Sequence, residues 1–236
     1  MDTNGGLYGA GKTSIGCEIS RAKQVSLCIM FILLHSSWNR SWYTSIIKMV
    51  LSYKNEFMHH AENPEELLQC YDRNGLPTES RLRAEVKLIP YRWWYGVTRV
   101  WLVNDDGQLM CSKRSELLSG NPGKWQTYFG GHVGAGQTMR ETALREIAEE
   151  AGLHLKDADL YLIDKGCDIE NNLFFESYAV RFNGSSSDLI FSDGEIVEAK
   201  WIGMNEYWNL RSISPDEWCN RCSPENQNKI KQFLQR

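Results

Sequence analysis

Apolar and polar positions fall into a readable pattern from about residue 58 onward. GVTRVWLVN (96–104) and QLMCSKR (108–114) are short apolar-rich runs that read as strands. Asp105-Asp106-Gly107 between the two runs predicts a hairpin turn. RAEVKLIP (83–90), QTYF (126–129) and the stretches near 159–164, 173–182 and 196–202 also read as strands. The spacing changes at Thr138–Ala151, where Ala143, Ile147 and Ala151 recur every fourth residue and Gly152 supplies a stop, which predicts a helix. Residues 203–211 and 223–235 carry the same helical spacing. Pro64-Glu65-Glu66 behind Asn63 predicts another helix start, and YDRNGLPTES (71–80) a turn-rich connector. Strands and helices mix without regular alternation, so the expected fold is α/β, with a mixed sheet flanked by helices.

Residues 1–57 show no such organisation, so the chain is expected to divide into an N-terminal extension (1–57) and a domain with C-terminal helices (58–236). GLYGAGKT (6–13) fits the phosphate-loop spacing G-x-x-x-x-G-K-[ST] letter for letter. A working loop of this kind follows a buried strand, whereas only the turn-like MDTNG precedes it. Gly11, Lys12 and Thr13 are therefore not expected to form a nucleotide site. The apolar run Val25–Leu34 is ten residues long, too short to span a bilayer.

Composition narrows the functional classes. The 236 residues are 42% hydrophobic and 24% charged, ordinary values for a soluble globular protein. A net charge of −4, with scattered basic residues, gives no electrostatic case for nucleic acid. Seven widely spaced cysteines suggest a reducing compartment rather than a disulfide framework. Cys219-Asn-Arg-Cys222 lacks the second pair or histidine of a zinc site and is expected to be incidental, a turn apart on a helix.

The chemistry concentrates in GGHVGAGQTMRETALREIAEEAGL, residues 130–153. On a helix, Glu146, Glu149 and Glu150 share one face, where like charges repel unless a cation neutralises them. A hard divalent ion with oxygen ligands does so, and Mg²⁺ held by few carboxylates takes phosphate as a further ligand. The nearby glycines 130, 131, 134 and 136 allow close backbone approach at the same end.

This stretch resembles the Nudix box, G-x5-E-x7-R-E-U-x-E-E-x-G-U with U aliphatic. Gly131, Arg145, Glu146, Ile147, Glu149, Glu150, Gly152 and Leu153 match it, and Gln137 stands where the family has Glu. YDRNGLPT, the VWLVN–GQL hairpin and CSKRS…PGKW…GGHV are most similar to the branch related to isopentenyl-diphosphate isomerase, over about residues 65–205. The resemblance implies a Nudix-type α/β/α sandwich that cleaves a diphosphate linkage in a nucleoside diphosphate derivative, using Mg²⁺ or Mn²⁺. Carried over by position, Glu146, Glu149, Glu150 and the Gly130 carbonyl would hold metal, and Glu146 or Glu149 would assist deprotonation of water. Arg145 would orient the glutamates, with Gln137 supporting it less strongly than the usual Glu. Glu195 takes the place of a later acidic ligand or base, with Glu198 as the alternative. Lys113, Arg114 and His132 are candidates for phosphate contact, and Trp93, Trp94 and Trp125 for stacking on a base, though core packing explains any one of these tryptophans.

The isomerase reading is weakened because Gly130 stands where that activity has Cys and Glu170-Asn171-Asn172 departs from its later acidic motif. A nucleotide-binding module without catalysis is the other alternative. The expected partner is a small-molecule diphosphate in the cytoplasm, with no nucleic acid or membrane partner and with a homodimer permitted.

Overall fold

The computed structural model describes residues 63–219 and 222–236. The phosphate-loop match, the apolar run at 25–34, and Cys17 and Cys28 lie outside the described residues. Eight strands form one mixed sheet: β1 (Leu67–Tyr71), β2 (Pro77–Leu82), β3 (Trp94–Val103), β4 (Gln108–Arg114), β5 (Trp125–Gln126), β6 (Tyr161–Asp168), β7 (Leu173–Arg181) and β8 (Ile196–Gly203). The helices are α1 (Arg83–Val86), α2 (Met139–Ala151), α3 (Met204–Ile213) and α4 (Pro224–Leu234). β3 and β7 run parallel; the other named pairs are antiparallel.

Strand alternation decides what each face of the sheet packs against. Along β3, Val100 and Leu102 face a cluster containing Ala143, Ile147 and Ala151 of α2. Trp101 and Val103 face the opposite cluster, with Tyr207 of α3 and Ile230 of α4. The result is a three-layer α/β/α sandwich, as the Nudix resemblance implied, built on the mixed sheet that the spacing predicted.

The hairpin at 105–107 joins β3 to β4, but the two strands pair only at Val103 and Leu109. Beyond that point residues 129–134 run beside β3: Val100 and Phe129 exchange backbone bonds of 2.7 and 3.0 Å, and Thr98 N–H donates to Gly131 O at 2.9 Å. Val133 N–H donates to Gly96 O at 3.0 Å and Gln69 N–H to Val133 O at 2.8 Å. This splayed junction carries the glycines onto the face covered by α2.

Two expected elements differ. Pro64 opens only a single turn, in which Asn63 Oδ1 accepts from Glu65 N–H at 3.0 Å. The chain then extends as β1, because alternate residues Leu68 and Cys70 are buried between neighbouring elements and a helix would separate them. RAEVKLIP is not a strand: it begins as α1, burying Val86 while leaving Leu88 and Ile89 exposed, with no strand paired to it. The CxxC also departs from expectation, since Cys219 follows α3 in extended chain and donates its backbone N–H to Trp125 O at 2.8 Å.

Candidate active site

The helix α2 places the three glutamates by simple rotation. It begins with a capping box, Thr138 and Glu141 satisfying each other's backbone N–H groups, and ends at Gly152 with φ of 70°. Taking Ile147 as the centre of the buried stripe, Glu150, Glu146 and Glu149 lie about 60, 100 and 160° round the helix. Their burial follows that order. Glu150 is 2% exposed, while the side chains of Glu146 and Glu149 are 13% and 50% exposed.

Glu150 sits behind the cleft wall and accepts from Gly130 N–H at 2.7 Å. Arg145 bridges the other two, at 2.6 Å to Glu146 and 2.5 Å to Glu149. The glycines are needed sterically. A Cβ on Gly131 would lie 2.4 Å from Glu146 Oε1, and one on Gly130, where φ is 141°, would lie 2.2 Å from the Thr98 carbonyl oxygen.

A cleft of about 570 Å³ opens over this arrangement. Its walls include Gly130, Arg145, Glu146 and Glu149 from the box, with Arg114, His132 and Glu195 among the other expected residues. Glu195 stands at the start of β8, where its carbonyl accepts from Ser115 N–H at 2.7 Å and its own N–H donates to Asp193 at 2.9 Å. Glu198 pairs across the ladder with Lys113, is exposed, and does not line the cleft. Lys113 is likewise absent from the walls: strand alternation turns it to the side opposite Arg114, so its expected phosphate contact has no support in this geometry. Trp93 lies 4.4 Å from the Arg81 guanidinium, Trp94 packs 4.9 Å from the Phe174 ring, and Trp125 is in the core, so none of the tryptophans faces the cleft.

The electrostatics are those of crowded carboxylates. Burial, with Glu149 adding to it and Arg145 opposing it, pushes Glu146 up to about 7. Burial and then Asp193 push Glu195 up to about 8. Glu150 is raised well above its ordinary value by burial and by Glu146, Glu195 and Asp193. His132, beside Tyr95 at 5.6 Å between ring centres, is held neutral by burial and by the charges of Lys87, Arg83 and Arg114.

The donors fit a hard divalent cation: carboxylate oxygens gathered at one buried end of the cleft, beside the backbone of Gly130 in its wall. Among the described residues no three His, Cys, Asp or Glu side chains already converge on one point. Glu149 lies toward the solvent side of α2, where it pairs with Arg145, while Glu150 is turned to Gly130 N–H.

Five cleft residues were not foreseen: Asn63, Glu66, Arg83, Ser192 and Asp193. Arg83 and Glu66 form an ion pair at 2.8 Å, and Ser192 Oγ donates to the Glu149 carbonyl at 3.2 Å. Asn63, Glu66 and Arg83 reach the site through long-range folding, while Ser192 and Asp193 come in beside Glu195 on the same segment. Gln137 also differs from expectation. It accepts from Thr142 Oγ1 at 3.1 Å and so secures the first turn of α2, while Arg145 is engaged by Glu146 and Glu149.

A carboxylate-bearing helix docked on a mixed sheet, with a glycine-rich junction beneath it, defines the class of site. The NUDIX domain model matches residues 95–219, and the chain belongs to the Nudix family. It is similar to isopentenyl-diphosphate Delta-isomerase of Salmonella arizonae, 29% identical over 125 residues, covering 50% of this chain and 65% of the relative. The Salmonella heidelberg isomerase is 26% identical over 121 residues, covering 49% of this chain and 65% of that protein. The match thus spans just under two thirds of either relative's length. A crystal structure of a Deinococcus radiodurans protein shares the fold, with a TM-score of 0.55 and 22% identity, over 71% of this chain and 98% of that one.

Proposed function

We propose that the chain hydrolyses a diphosphate linkage, in a nucleoside diphosphate derivative or related organic diphosphate, by attack of water at phosphorus. The observation that carries this reading is the mixed charge of the cleft. Glu146 and Glu195 line it, with Glu150 just behind. Arg114, across the ladder from Ile196 and forming no ion pair among the described residues, lines it beside Glu195. A bare carboxylate cluster repels a diphosphate and a bare arginine does not activate water; a substrate held between them through a cation satisfies both.

Glu146, Glu149, Glu150 and the Gly130 carbonyl would hold Mg²⁺ or Mn²⁺. When bound, such an ion supplies charge neutralisation at the phosphoryl oxygens and Lewis-acid activation of the attacking water. Arg145, bridging Glu146 and Glu149, keeps them aligned on α2 until they are needed as ligands. Arg114 binds the phosphoryl oxygens and fixes the substrate's register. Glu195 takes the proton from the water, since Glu198 faces away. The glycine junction keeps the backbone low enough for the substrate to approach Glu146.

Isomerisation of a prenyl diphosphate, suggested by the names of the relatives, has weaker support. Gly130 offers no thiol, and Glu170-Asn171-Asn172 lies in the β6–β7 turn, outside the cleft walls. The reading places the protein in the cytoplasm with a small-molecule partner. Free thiols at Cys70, Cys111, Cys167 and Cys222 support a reducing compartment, and the net charge of −4 gives no case for a nucleic-acid partner.

The test is turnover in ¹⁸O-labelled water with ADP-ribose and a prenyl diphosphate as substrates, read by mass spectrometry. Label on a phosphorylated product supports water attack at phosphorus. Rearranged prenyl diphosphate without label would replace the hydrolase by the isomerase.

A further inference from the structure

β5 is only two residues long, yet it places a polar side chain in the wall behind the cleft. Gln126 is 2% exposed and pairs across the ladder with Ser112, two residues before Arg114 on β4. Arg114 Nη1 lies 3.4 Å from Gln126 Oε1, and Arg114 Nε donates to the Gly120 carbonyl at 2.9 Å. A guanidinium carries only donors, so the amide must turn its oxygen toward Arg114 and its nitrogen away. There the nitrogen finds no acceptor, and the neighbouring Ser112 hydroxyl is also buried without a partner. Folded proteins pair nearly all such groups, and an apolar side chain of similar size would fill this space at less cost to stability.

We propose that Gln126 is a positioning residue: it holds Arg114 in place for the substrate's diphosphate, and its unsatisfied nitrogen is the stability cost of that role. The Gly120 carbonyl and the Gln126 amide oxygen fix two of the three guanidinium nitrogens. The Nη2 donors remain for phosphoryl oxygens, and the side chain loses less freedom when it binds them. A glutamate in the same place would form an ion pair with Arg114 and compete with phosphate; the neutral amide orients the cation without quenching its charge. This inference rests on the diphosphate-binding reading of the cleft.

Methylenediphosphonate, a diphosphate that cannot be hydrolysed, is the probe, titrated calorimetrically in Mg²⁺ and paired with melting curves of the ligand-free protein. Gln126→Met should weaken binding about tenfold, the order expected for a hydrogen bond to a charged group, while Tm stays level or rises. Gln126→Leu should do the same should methionine not fit. Arg114→Ala should weaken binding at least as much, and adding Gln126→Met to it should change the affinity less than about twofold, as coupled residues do. A fall in Tm with unchanged affinity, or full additivity in the double variant, would overturn the inference. So would wild-type protein that does not bind the diphosphonate. The expected binding pattern without hydrolysis of any diphosphate would leave Gln126 in its role and remove the hydrolytic reading alone.

Discussion

Gly130→Ala offers a sharp check on how the site is built, because a second positive-φ glycine nearby, with open space around it, serves as a comparison. Both Gly130 and Gly136 have positive φ, 141° and 73°, so alanine is strained at either position. At Gly136 an added Cβ meets nothing within 4 Å, and the expected loss is that strain alone, about 1 kcal/mol. At Gly130 the Cβ would lie 2.2 Å from the Thr98 carbonyl oxygen and 2.9 Å from its carbon. Both contacts are backbone, so no rotamer relieves them and the 129–134 segment must move off β3. That movement stretches the Val100–Phe129 pair and the Thr98–Gly131 bond, together with the 2.7 Å bond from Gly130 N–H to Glu150. Losing two or three such bonds at about 1 kcal/mol each, on top of the strain, gives about 3–4 kcal/mol. For a chain of this size that corresponds to a fall in Tm of roughly 6–16 °C, against about 2–4 °C for Gly136→Ala. Circular dichroism melts of the two variants in EDTA measure the difference. Equal shifts would refute the claim that the junction is held by close backbone approach.

Other expectations follow from the same geometry. Glu195→Gln should lower kcat by about a hundredfold or more, as loss of a proton acceptor does, while Glu198→Gln stays within about twofold; the reverse ranking would exchange their roles. Arg114→Ala should raise KM about tenfold or more, as loss of a hydrogen bond to a charged group does, with Lys113→Ala near wild type; steady-state kinetics on one active substrate decides. In metal-free protein the raised pKa values near 7 and 8 at Glu146 and Glu195 mean that the folded state binds more protons than the unfolded one above about pH 4.5. Stability should therefore fall as pH rises from 6 to 8, by up to about 1.4 kcal/mol per pH unit for each such proton, and Mg²⁺ should counter this while releasing protons on binding. Melts in EDTA that improve with pH, relative to a Glu150→Gln control, would contradict it.

Much of the architecture was legible because burial leaves periodic traces. β3 and β4 read as near-continuous apolar runs since each strand separates two cores, and α2 reads as a helix because one stripe meets the sheet. The glutamates were legible for the same reason, their spacing fixing how deep each sits. What failed was short and local. At Asn63–Glu66 a capping sequence was overruled by the buried alternation of Leu68 and Cys70, and RAEVKLIP lacked a neighbouring strand to complete its ladder. Glu66 and Arg83 come to the cleft from distant segments, so no spacing rule reaches them, whereas Asp193 stands two residues from Glu195 and was within reach. The sign of Lys113 was readable but not its direction, which depends on which face of β4 the box helix covers.

The measurement that tests the central claim most directly is phosphate release, through a coupling pyrophosphatase or phosphatase, over a panel of nucleotide sugars, dinucleotides, nucleoside triphosphates and prenyl diphosphates. It is run in Mg²⁺, in EDTA, and with the Glu149→Gln and Lys12→Ala proteins. The account predicts turnover of at least one diphosphate that is lost in EDTA and in Glu149→Gln and kept in Lys12→Ala. Turnover that persists in Glu149→Gln and vanishes in Lys12→Ala would place the chemistry in the N-terminal segment and contradict it.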